Sequence, residues 1–194
     1  MIPSAYTKIA QILADCHAQD PRPKTFATQT YPYETIYAQR MLHWTKHMQP
    51  DASEELLLAV DAQHLERWKL PRESYPMDRK GYLLWREELK KRHAADLAEL
   101  MSAAGYSAES IAKTTELIRR KQMAPDAEGQ ILEDAACLVF LELDFSELAE
   151  KTEHTKMISI LQKTWKKMSD RGHALALSLP LSTSEKILVT TALA

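Results

Sequence analysis

The sequence predicts an all-α fold, a helical bundle of about seven to nine helices forming a single domain over residues 1–194. Three observations support this prediction. The chain holds only 4 glycines while Ala, Leu, Glu, Lys, Gln and Met abound, so local propensity favours helix almost throughout. Apolar residues recur at intervals of three and four in segment after segment. Helix stop signals such as Asp20-Pro21-Arg22-Pro23, Gln49-Pro50 and Gly105 then fall where those patterns end.

Taken in order, residues 3–19 form a first helix with Ile9, Ile12, Leu13 and Cys16 along one side, followed by a polar connection to about Pro32. Tyr33 to Met48 places Ile36, Arg40, Met41, Trp44 and Met48 at helical spacing, with Glu34 in the first turn. Asp51 and Glu54 form a capping box for a third helix reaching about Trp68. Pro71 and Pro76 enforce a loop over 69–78, which is expected to be ordered and packed near His64. A long helix over 80–104 carries Leu89, His93, Leu97 and Leu100 on one stripe, and Ser107 caps the next, which ends in Arg119-Arg120-Lys121. Residues 131–143 are apolar almost all round and read as a central buried helix. Residues 153–172 make one more helix closed by Gly172, and Pro180 divides an apolar tail.

An apolar fraction of 45% with 27% charged residues is enough to build a core and excludes a disordered chain. A net charge of -2 leaves nothing global to draw the protein to nucleic acid or an anionic membrane, so an RNA-binding role would need a local patch. No apolar run reaches the roughly 18 residues that a membrane helix needs, and the N-terminus lacks the features of a signal peptide. Cys16 and Cys137, the 2 cysteines, each sit in a helix-like stretch, which argues against a disulfide framework. A cytoplasmic protein without a membrane partner is expected.

Glu133 and Asp134 open the most apolar segment of the chain. A carboxylate drawn into a core costs several kcal/mol unless it is paired, hydrogen-bonded or bound to metal. A place in the first helical turn accounts for one of them through the helix dipole, and the other calls for a partner. His64 lies on the stripe of Leu57 and Val60, and His93 on that of Leu89 and Leu97, so both imidazoles point toward the core. An inward histidine taken alone is more commonly a hydrogen-bonded core residue than a ligand. Glu34, His64, His93 and Asp134 together make an N/O set drawn from four helices, which suits a divalent transition ion such as Mn, Fe, Ni or Zn.

A basic group surrounds the loop that follows His64: Arg67, Arg72, Arg79, Lys80 and Arg86, interleaved with Trp68, Tyr75, Tyr82 and Trp85. Guanidinium forks match phosphate, and aromatic rings can stack a base. The plainer alternative is a solvated surface in which these arginines pair with Glu66, Glu73, Glu87 and Glu88. The run KTWKKMSDRGH (163–173) is a solvated helix face or a further wall of a phosphate pocket. Neither a serine or cysteine nucleophile arrangement nor a P-loop is visible, which leaves water activated by a metal as the enzymatic option.

The strings AQHLERW (62–68), PRESYP (71–76), GYLLWREELKKRHA (81–94), LEDAACLVFLE (132–142) and KTWKKMSDRGH closely resemble a bacterial and fungal family designated domain of unknown function 4202. More distantly, the order of elements is similar to the HD-domain superfamily of helical metal-dependent phosphohydrolases. That second resemblance implies an HD-domain-like bundle in which Glu34 stands for the first histidine, Gln63-His64 for the His-Asp pair, His93 for an accessory histidine and Asp134 for the last aspartate. Gln63 departs from the pattern, since an amide is a poor metal ligand. The implied function is a metal-dependent phosphohydrolase acting on a nucleotide or other phosphate compound, with Glu34, His64 and Asp134 catalytic and Arg67, Arg72 and Arg86 binding phosphate. The alternative is a non-catalytic nucleotide- or RNA-binding module, and a homodimer is a further expectation.

Overall fold

The computed structural model describes residues 4–119 and 127–193. It is all-α apart from one short hairpin, and its elements group into two compact units, residues 1–129 and 130–194. Arg120 and Lys121 of the expected basic helix end lie outside the described residues.

In the first unit, Ser4 caps α1 (Ala5–His17) by accepting the Thr7 N–H. The buried face of α1 is Ile9, Leu13 and His17, an i, i+4, i+8 stripe, while Ile12 is left exposed. Strands β1 (Pro23–Phe26) and β2 (Gln29–Pro32) pair antiparallel about a turn in which Ala27 takes a positive φ of 53°. A hairpin therefore replaces the expected irregular connection. Its two strands are only four residues each, too short for an alternating pattern to stand out.

α2 (Tyr33–Met48) buries Glu34, Ile36, Tyr37, Met41, Trp44 and Met48. Its N-cap is Pro32, which has no side-chain acceptor to offer, and this determines where Asp20 must reach. α3 (Glu54–Asp61) is capped by Ser53 rather than Asp51, and it ends at Asp61 instead of running on to Trp68. Three short 3₁₀ turns, at Ala62–His64, Arg67–Lys69 and Arg72–Ser74, carry the chain to α4 (Arg79–Ala103). α4 buries Gly81, Trp85, Leu89, His93, Leu97 and Met101, nearly one residue per turn, and Gly105 closes it at φ 87°. It packs against α5 (Ala108–Arg119), which also packs on α3.

The second unit begins within α6 (Ala127–Val139), which continues as a π-helical turn (Phe140–Asp144) and α7 (Phe145–Lys151). The helix expected over 153–172 divides into α8 (His154–Trp165) and α9 (Asp170–Ser178), because Ser169 caps a new helix by accepting the Gly172 N–H. Gly172 is thus inside a helix start and not a terminator. α10 (Thr183–Leu193) follows Pro180 and packs on α8. Leu132, Leu138, Phe145 and Met157 are fully buried here.

The first turn of α4 lies directly on the preceding loop: a Cβ at Gly81 would stand 2.0 Å from the Pro76 carbonyl oxygen. Gly81→Ala is expected to destabilise the protein by about 1–3 kcal/mol, as overpacking does. Chemical denaturation measures this, and an unchanged midpoint would show that the loop does not rest on α4.

Candidate functional site

A polar cluster is buried in the first unit, where α1, α2 and the end of α3 meet. Asp20 follows α1 and supplies the cap that Pro32 cannot, its Oδ2 accepting the backbone N–H of Glu34 at 3.0 Å. Arg22 clamps the same carboxylate, with Nε 2.8 Å from Oδ1 and Nη2 2.7 Å from Oδ2, a paired geometry that also holds the hairpin to the start of α2. Burial alone would raise the Asp20 pKa, but the bonds from Arg22 outweigh it and hold the carboxyl below its ordinary value.

Glu34 is 0% exposed. Its Oε1 accepts from Arg22 Nη2 at 3.3 Å and from the Trp68 backbone N–H at 3.1 Å. Its Oε2 has no hydrogen-bond partner, and His17 Nδ1, likewise without one, lies 3.8 Å away. That distance is an ion pair rather than a hydrogen bond. The other ring nitrogen of His17, Nε2, donates to Asp61 Oδ1 at 3.2 Å. Burial pushes the His17 pKa down, but Asp61 and Glu34 outweigh it and raise the value from 6.5 to about 9. His17, Glu34 and Asp61 are all buried.

His93 is buried on α4 with Nε2 lacking a hydrogen-bond partner. Burial drives its pKa from 6.5 down to about 3, reinforced by the charges of Arg67, Arg92 and His17. His64 is half-buried at the end of its 3₁₀ turn, stacked on Tyr37 at a centroid distance of 3.6 Å and 6.0 Å from Tyr33. Arg67 donates to His64 Nε2 at 2.6 Å and lies 4.6 Å above the Trp85 ring. Between them Glu66 adopts a left-handed φ of 50°, a conformation that costs energy in a non-glycine residue. This turn brings the Trp68 N–H to Glu34 and the Arg67 side chain to His64.

Trp85 Nε1 donates to the Leu70 carbonyl at 2.8 Å, so the loop after His64 is tied to α4 next to Arg67. Arg72 spends its guanidinium within that loop, donating to the carbonyls of Tyr75, Pro76 and Asp78. It is a loop staple, and these bonds account for it without a phosphate. Arg86 extends toward Tyr82, with Nη1 3.3 Å from its hydroxyl.

Asp134 belongs to the second unit. Its Oδ1 accepts the Ser169 N–H at 2.8 Å and Gln130 Nε2 at 3.0 Å, and its Oδ2 accepts the Ser169 hydroxyl at 2.5 Å. It acts as a fixed anion at the start of α9, and a Cβ at Gly172 would come within 2.7 Å of Oδ1. These bonds explain its burial without a metal. Among the described residues no group of three or more His, Cys, Asp or Glu side chains is arranged to hold a metal ion. Of the four expected ligands, then, Glu34, His64 and His93 lie in the first unit, while Asp134 is occupied in the second.

Sequence reasoning passed over His17 and Asp61. His17 lies inside the helix expected over 3–19 but is not among the residues assigned to its apolar side, although its i, i+4, i+8 relation to Leu13 and Ile9 is a usable signal. Asp61 stands one residue beyond Val60 on an apolar helix and i, i+4 from Leu57, a signal of the same kind as that of His64.

The two buried histidines carry opposite pH dependences. The proton on His17 contributes its full stability below about pH 6.5, and that contribution is lost as pH rises through about 9. Neutral His93 contributes fully above about pH 6.5, and its contribution is lost as pH falls toward about 3. Melting temperature should therefore fall on both sides of near-neutral pH, with His17→Gln flattening the alkaline limb and His93→Gln making the acid limb shallower. An alkaline limb unchanged in His17→Gln would contradict the assignment.

No helix among the described residues is long and apolar enough to cross a membrane. No curated protein and no solved structure matches the chain. Residues 7–189 match the domain of unknown function DUF4202, and the chain belongs to that family.

Proposed function

We propose that the protein is a metal-dependent phosphohydrolase acting on a nucleotide or another phosphate compound, with its reaction centre at the buried acidic cluster of the first unit. The observation that carries this reading is Glu34. A carboxylate with no solvent exposure has one oxygen satisfied by Arg22 and the Trp68 N–H and the other left without a hydrogen-bond partner. That second oxygen faces His17 Nδ1 at 3.8 Å, an ion pair without a hydrogen bond, and a ligand that supplied the missing bond would recover part of the cost of burying the carboxylate.

Glu34 Oε2 and His93 Nε2 are buried atoms of the expected ligand set that lack a hydrogen-bond partner. Asp134 is not used in this reading, since Ser169 and Gln130 already hold both of its oxygens in the second unit. In a hydrolytic site, water and substrate oxygens would complete the ion's coordination. An ion bound there would supply Lewis acidity and lower the pKa of a water. Arg67 and Arg86 remain as contacts for the phosphate, and Arg67 already sits at His64, close to the Trp68 N–H that holds Glu34. The likeness in element order to HD-domain enzymes supports this reading as an analogy only.

A second reading, a non-catalytic nucleotide- or RNA-binding module, draws on the absence of a three-ligand group among the described residues. It also draws on the cationic and aromatic pairs Arg67 with Trp85 and Arg86 with Tyr82. Phosphate release from a panel of nucleotides and phosphomonoesters, with and without Mn²⁺, Fe²⁺, Ni²⁺ or Zn²⁺, separates the two. The hydrolase reading expects release only with an ion and a loss of about 100-fold or more in Glu34→Gln. Nucleotide bound without turnover supports the second reading and contradicts the first.

A further inference from the structure

We propose that the outward face of α4 at Lys80, Leu83, Leu84 and Glu87 is the interface of an antiparallel homodimer, in which Lys80 of each copy pairs with the partner's Glu87. The proposal does not depend on the hydrolase reading.

α4 is held to the first unit by the side that carries Gly81, Trp85, Leu89 and His93, all of them buried. Asp78 caps it by accepting the Gly81 N–H at 2.7 Å, and Trp85 Nε1 donates to the Leu70 carbonyl, so its first turns are fixed in place. The opposite side is exposed and yet carries leucine. Leu83 is 56% exposed and Leu84 53%, with Tyr82 at 41% and Met77 at 74% close by in the chain. Four of the eight large apolar side chains exposed among the described residues thus fall between 77 and 84. Such a concentration marks an interaction surface, whereas single exposed apolar residues do not.

The charges around the leucines say which partner fits. With about 100° and 1.5 Å per residue, Lys80 and Glu87 lie within about 20° of one direction, and Leu83 and Leu84 lie about 50° to either side of it. All four are exposed, and neither Lys80 nor Glu87 forms an ion pair with another described residue. The level midway between Leu83 and Leu84 is also midway between Lys80 and Glu87. A two-fold axis at that level makes a second α4 run antiparallel and sets each Lys80 opposite the partner's Glu87. The four leucines then form one layer between the two ion pairs.

A parallel pairing would instead set Lys80 on the partner's Lys80 and Glu87 on the partner's Glu87, so the charges select the antiparallel orientation. A uniformly acidic or basic partner would satisfy one of the two charges and oppose the other. A second copy of this chain answers both. Because α4 is already fixed on its other side, little order is lost on docking. A patch of about two helical turns is small for an interface, which predicts a reversible dimer in the micromolar range.

Sedimentation velocity of the full chain over a micromolar-to-millimolar concentration series tests this. The wild type should pass from monomer to dimer. Lys80→Glu or Glu87→Lys alone should weaken self-association by about 10-fold or more, because each sets like charges together. The two single variants mixed in equal amounts should associate with each other, since one face then carries two acids and the other two bases. The double variant Lys80→Glu/Glu87→Lys should dimerise as the wild type does. Both positions are exposed, so circular dichroism should show unchanged helix content in every variant. A dimer indifferent to both single changes, or single variants that fail to associate when mixed while the wild type dimerises, would overturn the proposal. A chain that stays monomeric throughout the series would also overturn it and assign the leucine face to another occupant.

Discussion

The first unit is organised around a carboxylate that has been taken wholly out of water. Glu34 can occupy the interior only because Arg22, the Trp68 backbone N–H and His17 each face it, and each of those partners imposes a constraint on the chain around it. Arg22 is held by Asp20, and Asp20 in turn caps the helix that carries Glu34, so the hairpin between them is closed by the same bonds that pair the charge. The Trp68 N–H reaches Glu34 from a turn in which Glu66 has a left-handed backbone. Backbone strain in one loop and a borrowed helix cap in another both serve the burial of one acid.

That arrangement is not neutral in its chemistry. Asp20, Glu34 and Asp61 supply three acidic side chains, against the basic Arg22 and His17. The acids exceed the bases by one formal charge, while the cationic Arg67 and Arg92 act on His93. The second unit handles its buried acid in the opposite way. Both oxygens of Asp134 accept hydrogen bonds from Ser169 and Gln130, and it lies at a helix start made accessible by Gly172.

The all-helical class was legible because glycine scarcity and helical periodicity agree along the whole chain. Glu34, His64 and His93 were legible as polar residues interrupting apolar stripes, and Glu34 and His93 are indeed buried. The role of Asp134 was not legible, because its partners come from a segment 35 residues away whose helix break at Ser169 is set by a cap rather than by a proline. His17 was hidden by its place in the last turn of α1, where a histidine is ordinarily explained by the helix dipole. Arg72 has the composition of an anion contact but the geometry of a loop staple, a difference that only the carbonyls around it reveal.

The central proposal is that Glu34 Oε2, a buried carboxylate oxygen without a hydrogen bond, is a ligand of a divalent ion. Anomalous diffraction at the manganese edge, from crystals of the protein grown with Mn²⁺, locates such an ion without reference to turnover. The account predicts a peak within about 2.5 Å of Glu34 Oε2. A bound Mn²⁺ seen elsewhere, with an ordered water bridging Glu34 Oε2 and His17 Nδ1 in its place, would contradict it.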